Sequence, residues 1–496
     1  MIITPPEQTP PAEKLGAVHF VGIGGAGLSG IARVMLARGI RVSGSDAKES
    51  AALDGLRAIG AVVRVGHHAE AIGDADTVVV STAISEDNPE VMEAQRRGLP
   101  VLPRASAVAS LLDGYQVLAV SGAHGKSTTS SMLAVALRRA DADPSFAIGA
   151  VLTDVGENAH HGGELFVLEA DESDRAFLHY APMIAVVTNI DPDHLELYGS
   201  AEAYRQAFCE FVDSIRSGGL LVANADDPGS RQMIEYARSR GVRVRTFGES
   251  GEADVRIRDV RLEPLGSVFR VSSAGAAGPS ASDSPGASDS PGASDSRGFE
   301  GTEGGEVRVQ VPGRHHVSNA AAAYTVAVAL GFDEERIRAG LSAFTGTRRR
   351  FEAKGEAAGV RVFDDYAHHP TELETNLRAA RLAAGAGRLV VCFRPLRHTR
   401  TQLFYREFGK VLGLADEVVV CDPSGDEPIA GVTGELLLPF IPLPSEQVCY
   451  EPDRDAVPGR VADRARGGDL VLTAGAPDVA TVGPEVLRLL AERGSR

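Results

Sequence analysis

Three consecutive α/β units are what this chain predicts, and three observations carry that expectation. Two glycine-rich turns, at residues 22–27 and 122–127, each follow a short apolar run and precede a stretch free of helix breakers. From residue 347 onward a third series of apolar runs ends repeatedly in charged residues, among them Val360-Arg-Val-Phe-Asp-Asp365 and Glu417-Val-Val-Val-Cys-Asp422. Strands alternating with helical stretches in this way build parallel sheets with helices on their faces. The expected units cover residues 1–114, 115–346 and 347–496.

Composition narrows the function classes. The 496 residues hold 50 Lys and Arg against 67 Asp and Glu, a net charge of −17. Bulk charge therefore excludes a nucleic-acid or anionic-membrane partner, while local basic clusters remain able to hold small anions. Four cysteines, Cys209, Cys392, Cys421 and Cys449, are scattered without CxxC spacing. They read as reduced thiols of a cytoplasmic protein, with neither a disulfide frame nor a zinc site. There is no long apolar run, and Met1-Ile-Ile-Thr-Pro-Pro lacks the basic-then-apolar order of an export signal, so a soluble, unexported chain is expected.

In the first unit, Ala17-Val-His-Phe-Val21 reads as a strand leading into Gly22-Ile-Gly24-Gly25-Ala26-Gly27. A helix is expected over 28–38, then a second strand, Arg41-Val-Ser-Gly-Ser45-Asp46. This is the Rossmann arrangement, with an acid some way beyond the glycines. Alone it predicts an NAD-type site with Asp46 on a ribose, but the same turn holds any pyrophosphate. Residues 61–65, 77–80 and 100–102 read as further strands of one parallel sheet.

The second unit opens on Tyr115-Gln-Val-Leu-Ala-Val120, a strand, followed by Gly122-Ala123-His124-Gly125-Lys126-Ser127-Thr128 and a helix to about residue 139. Such a turn is a phosphate cradle. Loop amides and the helix N-terminus face the anion, Lys126 meets the β/γ phosphates, and the Ser127 hydroxyl can ligate Mg²⁺. The long form of the pattern has a glycine where Val120 stands. Two apolar runs, 165–171 and 184–190, deliver Glu169, Asp171, Glu172 and Asp174, and then Asp191, Asp193 and His194, toward the same loop. In an open α/β sheet ligands collect beyond the carboxyl ends of the strands. The unit is thus an α/β domain of the P-loop ATPase type with a parallel sheet.

Residues 273–306 repeat Ser-Asp-Ser-Pro-Gly-Ala and cannot bury enough apolar surface to offset their ordering entropy. They read as a disordered, expanded hairpin loop between the alternating runs 254–260 and 306–311. The third unit begins at the basic hinge Thr347-Arg-Arg-Arg350. It carries Tyr366-Ala-His-His369-Pro-Thr-Glu372 at a helix start and Arg394, Arg397 and Arg400 after a strand. Three arginines so placed in an acidic protein point to a carboxylate or phosphate site.

Taken in order, Gly22-Ile-Gly-Gly-Ala-Gly27, Gly122-Ala-His-Gly-Lys-Ser127, Glu169-Ala-Asp-Glu-Ser-Asp174, Thr188-Asn-Ile-Asp-Pro-Asp-His194, Pro312-Gly-Arg-His315, Arg349-Arg-Phe-Glu352 and Asp364-Asp-Tyr-Ala-His-His-Pro-Thr-Glu372 resemble the Mur ligases of peptidoglycan synthesis. The resemblance runs from about residue 15 to 480 outside the insert. It implies an N-terminal Rossmann-like domain for a UDP-sugar, a central ATP-binding domain, and a C-terminal Rossmann-like domain for the amino acid. It also implies ATP and Mg²⁺ as cofactors, with UDP-N-acetylmuramic acid and L-alanine as substrates of a cytoplasmic monomer or homodimer.

By the same resemblance, Lys126, Glu169, His194 and Arg350 are catalytic, and Ser127, Glu169 and His194 hold metal. ATP falls to Gly122, Ala123, His124, Gly125, Lys126, Ser127, Thr128, His316, Asn319, Arg350 and Asp365. The UDP-sugar falls to Gly22, Gly24, Gly25, Ala26, Gly27, Ser45 and Asp46, and the acceptor to His369, Arg397 and Arg400. The chain departs from the pattern at Ala123 and Ser127, where threonines are usual, at His316, where asparagine is usual, and across 393–400. Two other readings stay open: a paralogue joining a different amine or acid, and, from the N-terminal fingerprint, an NAD-dependent oxidoreductase.

Overall fold

The computed structural model describes residues 9–81, 84–273 and 305–494, which form three α/β domains, each around its own sheet. The first sheet contains β1 (Val18–Val21), β2 (Val42–Asp46), β3 (Val62–Val65), β4 (Thr77–Val80) and β5 (Val101–Pro103), ordered β3-β2-β1-β4-β5 and parallel throughout. All four residues of β1 and of β4 are buried, as befits central strands covered on both faces. Strand order reverses between β1 and β4, which opens a crevice beyond their carboxyl ends, where residues 22–27 turn into the Ala26–Ala37 helix.

The second sheet runs β6 (Gln116–Ser121), β7 (Pro144–Ala147), β8 (Ala159–His160), β9 (Gly163–Glu169), β10 (Ile184–Val187), β11 (Leu220–Asn224), β12 (Arg243–Gly248), β13 (Val255–Glu263), β14 (Gly266–Ser273) and β15 (Glu306–Val309) along the chain. In space the order is β15-β14-β13-β12-β11-β10-β6-β9-β7-β8. β6 lies between β9 and β10, so the two acid-bearing strand ends flank the phosphate loop, as the sequence predicts. The helix after β6, Lys126–Arg139, is buried from Ser127 to Leu137 because other helices pack over it. Gly340 permits one of those contacts: a Cβ there would lie 2.7 Å from the Cα of Ala136.

Two expectations need correction here. The sheet is parallel only in its body, since β8, β14 and β15 pair antiparallel at its margins. The run 254–260 also does not pair with 306–311 directly. It turns at residues 264–265 into β14, and β14 then pairs with β15. Of the insert expected to be disordered, 273–306, Ser273 ends β14 and Glu306 begins β15, while residues 274–304 lie outside the described residues.

The third sheet comprises β16 (Glu352–Ala357), β17 (Val360–Asp365), β18 (Leu389–Arg394), β19 (Glu417–Val420), β20 (Val448–Tyr450) and β21 (Leu470–Gly475), ordered β16-β17-β21-β18-β19-β20. Only β16 is antiparallel to its neighbour. β17 ends in Asp364 and Asp365, and the Pro370–Ala384 helix that follows faces the central domain. Among the described residues no helix is long and apolar enough to cross a membrane.

Candidate active site

The phosphate loop is held by its own backbone and by Asn189. The Asn189 side chain accepts from the His124 amide (3.0 Å) and donates to the His124 carbonyl (2.9 Å). Gly125, at φ +84°, caps the Lys126–Arg139 helix in a conformation side chains rarely adopt. Lys126 Nζ donates to the carbonyls of Gly122 (2.8 Å) and Ala123 (3.2 Å), and it pairs with Glu172 at 2.9 Å. Burial works against the ammonium, but Glu172, Asp171 and Glu169 outweigh it and raise its pKa. Glu172 itself is wholly buried, and burial pushes its carboxyl up to about 7 although Lys126 opposes the shift. The Ser127 hydroxyl donates to Glu169 Oε1 at 2.9 Å, while the other Glu169 oxygen accepts from Gly149 N at 2.6 Å.

A cavity of about 540 Å³ opens beside this loop, between the central and C-terminal domains. His124, Gly125, Thr128, His316 and Asn319 line it from the central domain, and Arg350, Asp365 and Glu372 from the C-terminal one. Arg350 sits between two residues in left-handed backbone, Arg349 (φ +61°) and Phe351 (φ +49°). The strain is held by Arg349, whose guanidinium bonds Asp364 (3.0 Å) and the carbonyls of Gly475 and Ala476, leaving Arg350 to face the cavity. Asp365 accepts from the amides of Phe351 and Ala367, both at 2.7 Å, and burial lifts its carboxyl to about 6. The rings of His315 and His316 lie tilted with centres 3.9 Å apart, and burial lowers both pKa values, that of His315 to about 4.

The loop after β10 carries a second cavity, of about 390 Å³, on its other side, lined by Asp193, His194, Arg400 and Phe404. Arg400 closes on Asp193 at 2.9 Å across the domain boundary. His194, at φ +52°, lies 3.9 Å from Glu172, and burial lowers its pKa. His369 is buried, lies tilted against His124 with ring centres 5.2 Å apart and meets Phe404 edge-on at 5.0 Å.

In the N-terminal crevice the Gly24 amide donates to Asp46 Oδ2 at 2.9 Å. Ser45 is fully buried and bonds inward, to Glu90 (2.6 Å) and His67 (2.9 Å). Glu90, also fully buried, takes His19 (3.0 Å) and the His68 amide (3.0 Å) as well. Arg104 lies against the glycine turn, where a Cβ on Gly27 would meet its Cδ at 3.2 Å. It crosses to the central domain to pair with Asp171 (3.2 Å) and Asp174 (2.9 Å).

Comparison with known families accounts for this layout. The model of the Mur ligase family catalytic domain matches residues 17–116, that of the Mur ligase middle domain residues 120–327, and that of the Mur ligase glutamate ligase domain residues 349–477. The chain belongs to the Mur ligase family. It is 53% identical over 486 residues to a UDP-N-acetylmuramate–L-alanine ligase of Kineococcus radiotolerans, spanning 97% of each chain. A ligase of the same name from Acidothermus cellulolyticus is 50% identical over 487 residues, again spanning 97% of each. Among solved structures, the UDP-N-acetylmuramate–alanine ligase of Thermotoga maritima superposes with a TM-score of 0.78 at 26% identity, over 97% of this chain and 99% of that one.

Within this Mur ligase, most of the residues singled out in the sequence converge. His124, Gly125, Thr128, His316, Asn319, Arg350 and Asp365 line one cavity, while Gly122, Ala123, Lys126 and Ser127 belong to the same turn without lining it, Ser127 bonding to Glu169. His194 lines the second cavity, His369 lines neither, and Gly24 with Asp46 stands apart in the N-terminal crevice. Three more depart from expectation. Ser45 points into the domain core, Arg400 is occupied by Asp193, and Arg397 is exposed and lines neither cavity. Sequence reasoning missed Arg104 and Glu90. Each acts through partners more than 20 residues away, and neither carries a motif of its own: Glu90 stands in a helix's first turn, where an acid suits the helix dipole, and Arg104 simply opens the next helix.

Proposed function

We propose that this chain is an ATP-dependent UDP-N-acetylmuramate–L-alanine ligase of the cytoplasmic stage of peptidoglycan synthesis. The observation that carries the reading is the meeting of Lys126, Ser127 and Glu169 beside a cavity that Arg350 closes from the C-terminal domain. The relatives of that name, at half identity or more over nearly the whole chain, support it. We take residues 1–114, 115–346 and 347–496 as the UDP-sugar, ATP and amino-acid domains.

In this reading the γ-phosphoryl group of ATP passes to the muramoyl carboxylate, giving ADP and an acyl phosphate. The alanine amine then attacks the acyl carbon, and the tetrahedral intermediate expels phosphate to leave the amide. Such a reaction is mostly positioning and charge neutralisation. Lys126, held by two carbonyls and Glu172, presents a fixed positive charge to the β/γ phosphates. Asn319 and His316 border the base end of the cavity, and Arg350 with Asp365 binds from the other domain. Gly22, Gly24, Gly25 and Gly27, with Asp46, take the UDP moiety, and His369, Arg397 and Arg400 are assigned to the acceptor side. Ser45, next to Asp46, donates to the buried Glu90 and so anchors the end of β2. The hydroxyl of Ser127 and the carboxylate of Glu169 are hard oxygen donors already in contact, which fits Mg²⁺, and His194 is the candidate partner for a second ion. When bound, Mg²⁺ neutralises charge developing on the phosphates.

The test is phosphate release from ATP and Mg²⁺ with UDP-N-acetylmuramic acid across twenty amino acids. Release should peak with L-alanine and vanish in Lys126→Ala, whose fold is verified by circular dichroism. A peak at another amine would indicate a paralogue with changed substrate. A Lys126→Ala rate within tenfold of wild type would sink the ligase assignment.

A further inference from the structure

We propose that His124, Asp191 and His369 form a binding site for one divalent transition-metal ion of the zinc class, which bolts the phosphate loop to the C-terminal domain. The three side chains come from three elements and two domains: the turn after β6, the loop after β10, and the cap of the Pro370–Ala384 helix. One ligand atom from each lies within 4.8 Å of the others. His124 Nε2 and Asp191 Oδ2 are 3.2 Å apart. Around a tetrahedral zinc with bonds of about 2.05 Å, neighbouring ligand atoms stand about 3.4 Å apart. The pair, hydrogen-bonded to each other here, is near the required spacing, so that an ion would take the place of the proton between them.

Two further observations point to an ion rather than to an ordinary polar cluster. His369 is 6% exposed, yet its Nε2 has no hydrogen-bond partner, a costly omission for a buried polar atom. The groups behind the ligands are also those that metal sites use. His124 turns its other nitrogen, Nδ1, to Glu372 Oε1 at 3.4 Å, and Asp191 Oδ2 accepts from the Thr371 hydroxyl at 3.0 Å. A carboxylate behind a ligating histidine fixes its tautomer and raises its basicity. Ligation through Nε2 costs His369 only its long 3.4 Å contact with the Thr371 amide. Mixed imidazole and carboxylate donors suit zinc-class ions better than Mg²⁺, so this site differs in chemistry from the Ser127–Glu169 oxygen pair. Since His124 and Asp191 also line the nucleotide cavity, occupancy would hold the two domains together and obstruct that cavity.

The experiment does not depend on turnover, so it stands apart from the ligase reading. Zn²⁺ is titrated calorimetrically into the full-length, nucleotide-free protein in excess Mg²⁺, with Co²⁺ as a spectroscopic probe. We expect one ion per chain, a rise in Tm, and a visible Co²⁺ spectrum of nitrogen and oxygen ligation without thiolate charge transfer. His369→Gln and Asp191→Asn, lying in different domains, should each weaken binding at least tenfold. Cys209→Ser and Cys449→Ser, which remove the two partly exposed thiols, should leave it unchanged. Absence of a stoichiometric site, loss of binding in a cysteine variant, or wild-type affinity in both ligand variants would overturn the proposal.

Discussion

Gly125 shows how closely single atoms constrain the cavity beside the phosphate loop. Its φ of +84° already disfavours any side chain, and a Cβ would lie 2.5 Å from Asn319 Oδ1. Gly125→Ala must therefore shift either the loop or the asparagine, and we expect ATP affinity to fall at least tenfold in calorimetry. Unchanged affinity would show that the loop is slack. His316 makes a separate prediction, about acid stability. Burial holds its pKa well below 6.5 in the folded state, whereas the unfolded chain protonates near 6.5. The unfolded state thus binds more protons below that pH. Stability falls as pH drops beneath about 6.5, by up to about 1.4 kcal/mol per pH unit for one histidine. His315 adds a similar loss down to about pH 4. His316→Asn removes one of the two groups, so its Tm should decline less steeply than wild type between pH 6.5 and 4. Parallel Tm profiles for the two proteins would contradict this.

At the scale of elements, what the sequence revealed depended on how local the signal was. A strand, a glycine turn and a helix opening with Lys126-Ser127 are contiguous, so the phosphate cradle and its flanking strands were legible. The positions of Glu169, at the end of β9, and of His194, in the loop after β10, were legible for the same reason. β14 was not, because Gly266–Ser273 merges into the Ser-, Gly- and Pro-rich segment and lacks a boundary of its own. The inward turn of Ser45 was equally hidden, since its partner Glu90 is 45 residues away. The margin of the central sheet is nonetheless well defined by its pairings, from Ser267 with Val309 to Arg270 with Glu306. Residues 274–304 join strands that already pair, and lengthening or shortening such a connection changes closure entropy only slowly. Replacing them by a four-residue Gly-Ser turn should leave kcat for phosphate release within twofold of wild type. A larger loss would give the insert a role beyond connection.

Over the whole molecule, ion pairs span both domain boundaries, and at the N-terminal one they accompany a continuous apolar cluster that runs from Val18 and Phe20 to Phe166 and Tyr204. Arg104 reaches Asp171 and Asp174 from the N-terminal domain, and Arg400 reaches Asp193 from the C-terminal domain. The second is the more buried, its side chains only 7% and 8% exposed. Arg400 offsets the burial of Asp193 and brings its pKa down to about 2. Removing one partner of such a pair leaves a buried charge uncompensated, which costs about 3–5 kcal/mol, while removing both can be nearly neutral. Arg400→Ala should therefore lower the apparent Tm more than the double variant with Asp193→Ala does. The double variant should also show a larger radius of gyration by small-angle scattering, because the clasp is gone while the domains remain folded. If the two single losses instead simply add, Arg400 and Asp193 are not energetically coupled, and the closed arrangement rests on the contacts of Thr371 and Glu372 with the phosphate-loop side.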